Sequence, residues 1–497
     1  MSGCRLYVLT IALIASAASH AAGLALSVDG KDVPVRAFTR EYDYATFVYD
    51  GATTELEVRA PDAIGEASVS PLVYPAGERV SSDRLAFTAE GAVRRLVEID
   101  GRRLVLGGHR RGTYVPRNIG VGLKDIVSFG ADPTGRVSSS PAIAKAIAAV
   151  KEHGGGTVFV PSGTFLFTEP IVIGSGMELF LDAGAVLKAD AASKGFGRRG
   201  YKSSLKLDFT WLIYTEESTR GASIRGYGVI DGSGTEMRLK HKLLATVVAP
   251  IGADGFTMEG VTIVDGAFWT VVPARCSRLV ISDVRIYNDV QQLYENDAID
   301  ICDCQDVLVK DVFAVSEDDT FSTKTWQQSA NGIAGEWYGE PRENRDIVFD
   351  NCFGWTHCGT FKVGDGNFQA HRRITFRNCQ SYRSMSALKV THGYGTEPAE
   401  DIVFENIDIE GFGGRDRTAK WMDFYLLSDG PVNNVTVRNV NIRPGRGFDA
   451  TLKGKNDRFF YDDVTIEGIV IAGQPVHSLE DMRITNRNAY VRNLIVR

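Results

Sequence analysis

The sequence repeats the unit Ile347-Val348-Phe349-Asp350-Asn351-Cys352 as Ile374-Thr375-Phe376-Arg377-Asn378-Cys379 and again as Ile402-Val403-Phe404-Glu405-Asn406-Ile407. Each copy is a short strand pattern rich in apolar residues, with an asparagine at its fifth position. Further copies give an aligned series at Gly260, Asp283, Asp311, Asn351, Asn378, Asn406 and Asn439, with steps of 23, 28, 40, 27, 28 and 33 residues. A period of roughly 20 to 50 residues is typical of solenoids. Short strands with no crossover helices between them favour a parallel β-helix.

The 40-residue step indicates an insertion between Asp311 and Asn351. Insertions in solenoids form loops on one face, which is often the binding face. This insertion carries Trp326, Trp337 and Tyr338. We therefore expect the functional surface to lie beside it.

Residues 23–115 have a different pattern from the rest of the chain. Alternating runs such as Thr54–Arg59 and Leu96–Leu106 are short, and Asp100-Gly101 suits a hairpin turn. We predict a small N-terminal β-sandwich domain over 23–115 and a β-helix catalytic domain over 116–497. The sandwich is expected to cap an open solenoid end, where strand edges need cover; the alternative is a module that contacts carbohydrate or shapes a cleft.

The first residues resemble a secretory signal. Arg5 precedes the mostly apolar run Leu6–Ala15, and small residues continue to Ala22. We predict a signal peptide at 1–22 and a secreted or periplasmic protein. No later stretch reaches the roughly 20 apolar residues of a membrane span, so no membrane partner is expected.

Charge and cysteine spacing argue against nucleic-acid binding and against a zinc site. The 55 basic and 62 acidic residues give a net charge of −7 with no basic cluster, so we expect no nucleic-acid partner. The six cysteines after the signal match no zinc spacing. Buried, stacked thiols are preferred over disulfides for them: Cys276, Cys302, Cys304, Cys352, Cys358 and Cys379.

Carboxylates recur one coil apart. Twenty-one positions separate Asp297 from Asp318, which Asp319 follows. On adjacent coils, roughly 4.8 Å apart, these side chains would form one group. Such a group is either an acid/base site or a cation site. Turn chemistry is the alternative for single aspartates, and we expect it for Asp300, Asp303, Asp306 and Asp311.

The same segment resembles glycoside hydrolase family 28, the polygalacturonase family of right-handed parallel β-helices. The resemblance rests on Gly266–Pro273, Cys276, Asn296–Asp300 and the stretch from Asp318-Asp319 to Lys324. Weaker matches are the glycine-rich run from Gly154 and Gly226–Gly232. The similarity spans about residues 120 to 470.

The resemblance implies an inverting hydrolase that needs no metal or organic cofactor. Asp318 matches the general acid, and Asp297 and Asp319 match the pair that activates water. Lys324 matches a lysine of the substrate-binding surface.

Three positions depart from the family pattern. Glu317 replaces a glycine and adds negative charge close to the site. Cys358 stands where a histidine belongs, which leaves His357 as its candidate replacement. Ala387-Leu388-Lys389 replaces an Arg-Ile-Lys motif that resembles a uronate clamp, and lysine lacks the bidentate geometry of arginine. A neutral or differently branched glycan is therefore plausible, and the layout is also similar to the dextranases of glycoside hydrolase family 49.

The predicted function is a secreted glycosidase acting on a polysaccharide or oligosaccharide. Lys389 and His357 are further candidate substrate-binding residues, and Trp269, Trp326 and Trp337 are candidate sugar platforms because flat aromatic rings suit sugar faces. Two alternatives stay open. One is a polysaccharide lyase that uses Ca²⁺ on the acidic group with Lys324 or Lys389 as base, and the other is a non-catalytic glycan-binding β-helix.

Overall fold

The computed structural model describes residues 23–74, 77–118, 120–327, 332–414 and 419–497. The predicted signal peptide at 1–22 lies outside the described residues. The fold is all-β, a right-handed parallel β-helix preceded by a β-sandwich, as predicted.

Two sheets form the sandwich and share one apolar core that includes Leu56, Phe87, Val97 and Leu104. The antiparallel sheet contains, in spatial order, Lys31–Val33, Ala25–Val28, Thr53–Arg59, Arg84–Glu90 and Arg79–Ser81. The mixed sheet contains Asp43–Tyr49, Arg102–Arg110, Val93–Ile99 and Ala67–Ser70.

Three faces, here called A, B and C, run along the β-helix. Face A contains Leu123–Asp125, Gly156–Val160, Met177–Leu181, Ser223–Gly226, Thr257–Glu259, Ser277–Ser282, Gln305–Lys310, Asn344–Asp350, His371–Arg377, Ala399–Ile409, Val432–Ile442, Tyr461–Ile471 and Leu494–Val496, with Gln474–Val476 antiparallel at its end. Face B contains Thr134–Ser138, Gly163–Phe167, Ala185–Ala189, Val229–Asp231, Thr262–Val264, Arg285–Tyr287, Phe313–Ser316, Phe353–Thr356 and Gln380–Ser381, and the last long strands of face A continue into it.

Face C positions the candidate site. It contains Ile171–Ile173, Gly200–Lys202, Leu207–Thr215, Leu243–Ala249, Ile299–Cys302, Phe321–Thr325, Gly359–Asn367, Ser386–His392, Tyr394–Gly395, Ala419–Leu426, Phe448–Lys453 and Asn486–Arg487. Val271 bridges Val248 and Ile299, which joins the two halves of this face.

The repeated polar residue marks the turn from face A to face B. Asn378, Asn406 and Asn439 adopt left-handed backbone with φ of 54 to 55°, a conformation that asparagine tolerates better than most residues. Their side chains also form a ladder, since Asn406 Nδ2 donates to Asn378 Oδ1 at 3.0 Å and Asn439 Nδ2 to Asn406 Oδ1 at 3.1 Å. The repeat seen in the sequence is therefore a column of turn residues.

Replacing Asn378 separates backbone strain from side-chain bonding. Asn378→Ala and Asn378→Gly both remove the ladder bonds, but only alanine places a Cβ on left-handed backbone. We expect Asn378→Ala to unfold at a lower urea concentration than Asn378→Gly, with a difference of about 1 kcal/mol in the free energy of unfolding. Equal stability of the two variants in urea titration would contradict the strain argument.

The sandwich lies along the side of the β-helix, so the predicted end cap is wrong. Tyr42 and Tyr44 of the sandwich share an apolar cluster with Val264, Tyr287 and Trp355 of face B. Polar contacts reinforce this interface, and the Tyr42 hydroxyl donates to the Asn288 carbonyl at 2.7 Å. Apolar side chains that point outward from face B supply the surface that the sandwich covers and buries. The alternation within each strand did not predict this contact.

A helix covers the N-terminal end instead. Ser140–Glu152 buries Ile143, Ala146 and Val150 in the solenoid core and contacts Leu123–Asp125 at the first strand of face A. The other described helices are short: Gly234–Leu239 and the 3₁₀ turns Gly120–Gly122, Ile126–Phe129 and Ala334–Glu336. No helix in the described ranges has the length and apolar content to cross a membrane.

The six described cysteines are buried and unbonded to one another. Cys276 and Cys304 occupy neighbouring coils, as do Cys352 and Cys379, and the backbone amides of the first in each pair donate to the sulfur of the second at 3.3 and 3.4 Å. The prediction of stacked core thiols is confirmed for these four, whereas Cys302 and Cys358 are buried outside the solenoid core cluster.

Candidate active site

The predicted aspartates lie on adjacent coils of face C. Asp297 precedes Ile299–Cys302, and Asp318-Asp319 precedes Phe321–Thr325. The amide of Ala298 donates to the Asp319 carbonyl at 3.0 Å, and Ile299 pairs with Phe321. The one-coil spacing inferred from the sequence is therefore confirmed.

A cleft of about 500 Å³ opens over these residues. It brings together six of the nine predicted site residues: Asp297, Asp318, Asp319, Lys324, Trp269 and Trp326. Its remaining lining is Lys202, Ser203, Ser204, Glu295, Gly332, Lys362, Asp365 and Tyr394.

Lys324 links carboxylates from both coils. Its Nζ lies 2.5 Å from Asp297 Oδ2, 2.7 Å from Asp300 Oδ1 and 3.4 Å from Asp319 Oδ2. The ammonium is buried, and it lies 4.4 Å from the centre of the Trp269 ring. Lys324 thus holds Asp297, Asp300 and Asp319 in place and also lines the cleft.

Asp300 belongs to the site, although the sequence predicted a turn residue at this position. It lies within Ile299–Cys302, is fully buried, and accepts a hydrogen bond from Ser322. Strand alternation carries the missed signal, because Ile299 and Ile301 enter the core and Asp300 must face away from it. The other three aspartates expected at turns do adopt left-handed backbone: Asp303, Asp306 and Asp311.

Lys362 and Asp365 are also new to the site. Lys362 Nζ lies 2.7 Å from Asp319 Oδ2 and 2.8 Å from Asp365 Oδ2. Lys362 occupies the coil after Lys324 and pairs in register with Lys389 on the next. Its flanking core residues, Phe361 and Val363, again show the alternation that could have identified it.

The surroundings push the aspartate pKa values apart. Burial and the charge of Asp300 raise the pKa of Asp297 well above its usual range, although Lys324 opposes them. Burial also acts to raise the pKa of Asp319, but the charges of Lys362, Lys324 and Lys389 outweigh it and lower that pKa to about 2. Divergent pKa values among neighbouring carboxyl groups are a feature of acid/base sites.

Asp297 retains hydrogen-bonding capacity at the cleft floor. Asp297 Oδ1 is buried without a hydrogen-bond partner among the described residues. Asp318 is half-buried, and its Oδ1 accepts from the Asp319 amide at 3.0 Å. The group can therefore bind and orient a small polar molecule, such as water, at the cleft floor.

Three predicted residues lie outside the cleft lining. Trp337 is buried beside Ile333 and Ala334, and the guanidinium of Arg275 lies 5.8 Å from its ring centre, so its ring is structural. Lys389 lies buried next to Lys362, where its charge acts on Asp319 without lining the cleft. Lys389 therefore acts on the site only through its charge, and Trp337 takes no direct part in it.

His357 lies in the bend between Phe353–Thr356 and Gly359–Asn367 and is absent from the cleft lining. Cys358 instead faces the site, and its Sγ donates to Asp319 Oδ1 at 3.6 Å. Glu317 is also buried away from the cleft lining and interacts electrostatically with Arg238. Glu317 adds no carboxylate to the cleft lining itself, although it directly precedes Asp318 in the chain.

One group could bind a metal ion by distance alone. Single ligand atoms of Asp318, Asp319 and Cys358 lie within 4.8 Å of one another. Ca²⁺ requires about six to eight oxygen ligands, and the sulfur and the cation of Lys362 beside Asp319 do not suit it. The donor set therefore does not fit the Ca²⁺ that a lyase would need.

Comparison with known proteins supports this architecture. A family model described as rhamnogalacturonase A/epimerase, pectate lyase-like, matches residues 124–209. The family 28 exopolygalacturonase of Yersinia enterocolitica aligns with a TM-score of 0.55 at 14% identity, covering 93% of this chain and 98% of that one. This chain therefore has the same β-helix fold as that exopolygalacturonase. A comparison with curated proteins finds no match.

Two further solved structures show the same β-helix. The polygalacturonase of Erwinia carotovora aligns with a TM-score of 0.54 at 16% identity, covering 77% of this chain and 99% of that one. Dex49A from Penicillium minioluteum aligns with a TM-score of 0.56 at 11% identity, covering 91% and 83%. The predicted resemblance is thus confirmed at the level of the fold.

Proposed function

We propose that this protein is an exported glycoside hydrolase that cleaves a polysaccharide or oligosaccharide with inversion of configuration. The observation that carries the proposal is the meeting of Asp297, Asp318 and Asp319 at one cleft, where Lys324 pairs with Asp297 and Asp319. The β-helix shared with polygalacturonases supports it. Export rests on the leader-like residues 1–22.

The three aspartates take different roles in the proposed reaction. Asp318, the most exposed of them, donates its proton to the glycosidic oxygen as the bond to the anomeric carbon breaks. Water attacks the opposite face of that carbon and gives a proton to Asp297. The raised pKa of Asp297 makes it the stronger proton acceptor, while ionised Asp319 orients the water and stabilises positive charge at the sugar.

Spacing counts against Asp319 as the base. Oxygens of Asp318 and Asp319 approach within 4.8 Å, which is closer than the roughly 6.5 to 9.5 Å that separates acid and base in inverting enzymes. Asp297 extends from the neighbouring coil and can accept a proton from a water lying between the coils.

The proposed roles predict the acidic limb of the pH profile. Asp297 must be ionised to accept a proton, so kcat/KM should fall as the pH drops through its raised pKa, while Asp319 stays ionised down to about 2. Asp300→Asn removes a negative neighbour, lowers the pKa of Asp297, and should move this limb to lower pH. A limb that stays in place in the folded variant contradicts the assignment of Asp297.

A polysaccharide panel tests the reaction class. The wild-type enzyme should release reducing ends without the ultraviolet absorbance of an unsaturated uronate, and EDTA should leave the rate unchanged. Unsaturated products would identify a lyase. Binding without turnover across the panel would identify a glycan-binding protein.

A further inference from the structure

Every lysine lining the described part of the cleft is already ion-paired. Lys202 Nζ lies 3.1 Å from Glu295 Oε2. Lys324 and Lys362 contact the site aspartates as described above. The cleft therefore holds three lysines against five acidic side chains, which are Glu295, Asp297, Asp318, Asp319 and Asp365, and four of these remain when Asp318 carries the proton of the proposed reaction.

This charge arrangement opposes an acidic sugar. A uronate carboxylate needs an unoccupied cation, for which arginine offers bidentate geometry, and no arginine lines the described part of the cleft. Lys389 lies behind the lining and is buried. A uronate would therefore meet excess negative charge, which is costly across a desolvated interface.

Aromatic rings form the uncharged part of the cleft. Tyr394 is 59% exposed, and its ring centre lies 5.7 Å from that of Trp326. Trp326 also contacts Phe368, at 5.9 Å between centres, which fixes its orientation. Its indole Nε1 is buried and has no hydrogen-bond partner among the described residues, so a donor is available beside an exposed ring.

We propose that the substrate is an uncharged glycan, one ring of which stacks on Tyr394 and accepts a hydrogen bond from Trp326 Nε1. This inference rests on the proposed glycosidase function and adds the chemical class of its substrate. Tyr394 provides a flat surface for the C–H face of a sugar, and the Trp326 donor selects a hydroxyl or ring oxygen. Both residues line the same cleft as the aspartates, so the stacked ring belongs to the chain being cleaved.

Matched substrates test the charge of the glycan. The full-length enzyme is assayed on neutral polysaccharides, including dextran, and on acidic ones, including polygalacturonate, each acidic polymer paired with its carboxyl-reduced form. We expect the cleaved polymers to be neutral, and any reduced form that is cleaved to react at least about tenfold faster than its acidic parent. An acidic polymer cleaved faster than its reduced form overturns this inference and leaves the hydrolase proposal standing. Absence of hydrolysis from every polymer overturns both.

Two variants test the subsite on the best neutral substrate. Tyr394→Ala removes the stacking surface, and Trp326→Phe keeps a ring but removes the donor. Each should raise KM about three- to tenfold with little change in kcat. Tyr490→Ala, at an exposed tyrosine outside the cleft lining, serves as control and should change neither constant. Unchanged KM in both cleft variants overturns the proposed subsite.

Discussion

Asp318→Asn should lower kcat by about 10²- to 10⁴-fold and change KM little. Asparagine keeps the shape of the side chain but cannot deliver a proton to the leaving oxygen. The loss should therefore appear in the chemical step rather than in substrate binding. Initial rates on the preferred polysaccharide, with circular dichroism to confirm folding, measure it.

A matched aspartate controls for the change of side chain itself. Asp306 is exposed, lies on left-handed backbone and is absent from the cleft lining. Asparagine tolerates that backbone, so Asp306→Asn should keep wild-type activity. Wild-type turnover in Asp318→Asn would remove Asp318 from the reaction and with it the proposed mechanism.

Lys362→Met should destabilise the protein by about 3 to 5 kcal/mol and lower kcat by about 10²-fold. The change leaves buried Asp319 and its neighbour Asp365 without their shared cation. It also removes the charge that contributes most to lowering the pKa of Asp319. In the wild type, this stabilisation is present above the ordinary aspartate pKa and is lost as the pH falls toward about 2.

A double variant separates charge from cavity effects in that experiment. In the Asp319→Asn background, Lys362→Met should cost clearly less stability in urea titration, because one of the two stranded carboxylates is gone. Lys310→Met replaces an exposed lysine outside the cleft lining and should leave both stability and rate close to wild type. Equal losses in both backgrounds would show that the ion pair with Asp319 is not the cause.

The regular parts of the fold follow from the sequence because they repeat. Asn378 and Asn406 revealed the turn column, and the interval between Asp297 and Asp318 translated directly into one coil. Register in a solenoid is local, so neighbouring copies are enough to determine it. The position of the sandwich depends on contacts between residues far apart in the chain, and a sequence repeat carries no information about such contacts.

The site illustrates a second limit of sequence analysis. A family motif drew attention to Lys324 and Lys389. Asp300 lay within a matched motif but was assigned to a turn, and Lys362 matched no motif. Strand alternation nevertheless places both missed residues on the outer side of face C. Ion pairing is a property of three-dimensional neighbours. For this reason Glu317 was counted toward the cleft charge, whereas the actual surplus comes from Glu295 and Asp365.

The anomeric configuration of the first product tests the central claim most directly. Proton NMR, recorded in the first minutes of hydrolysis before mutarotation, distinguishes the two anomers. The acid role of Asp318 and the base role of Asp297 on the neighbouring coil predict a product of inverted configuration. A product of retained configuration would contradict this account and indicate that one aspartate attacks the sugar directly.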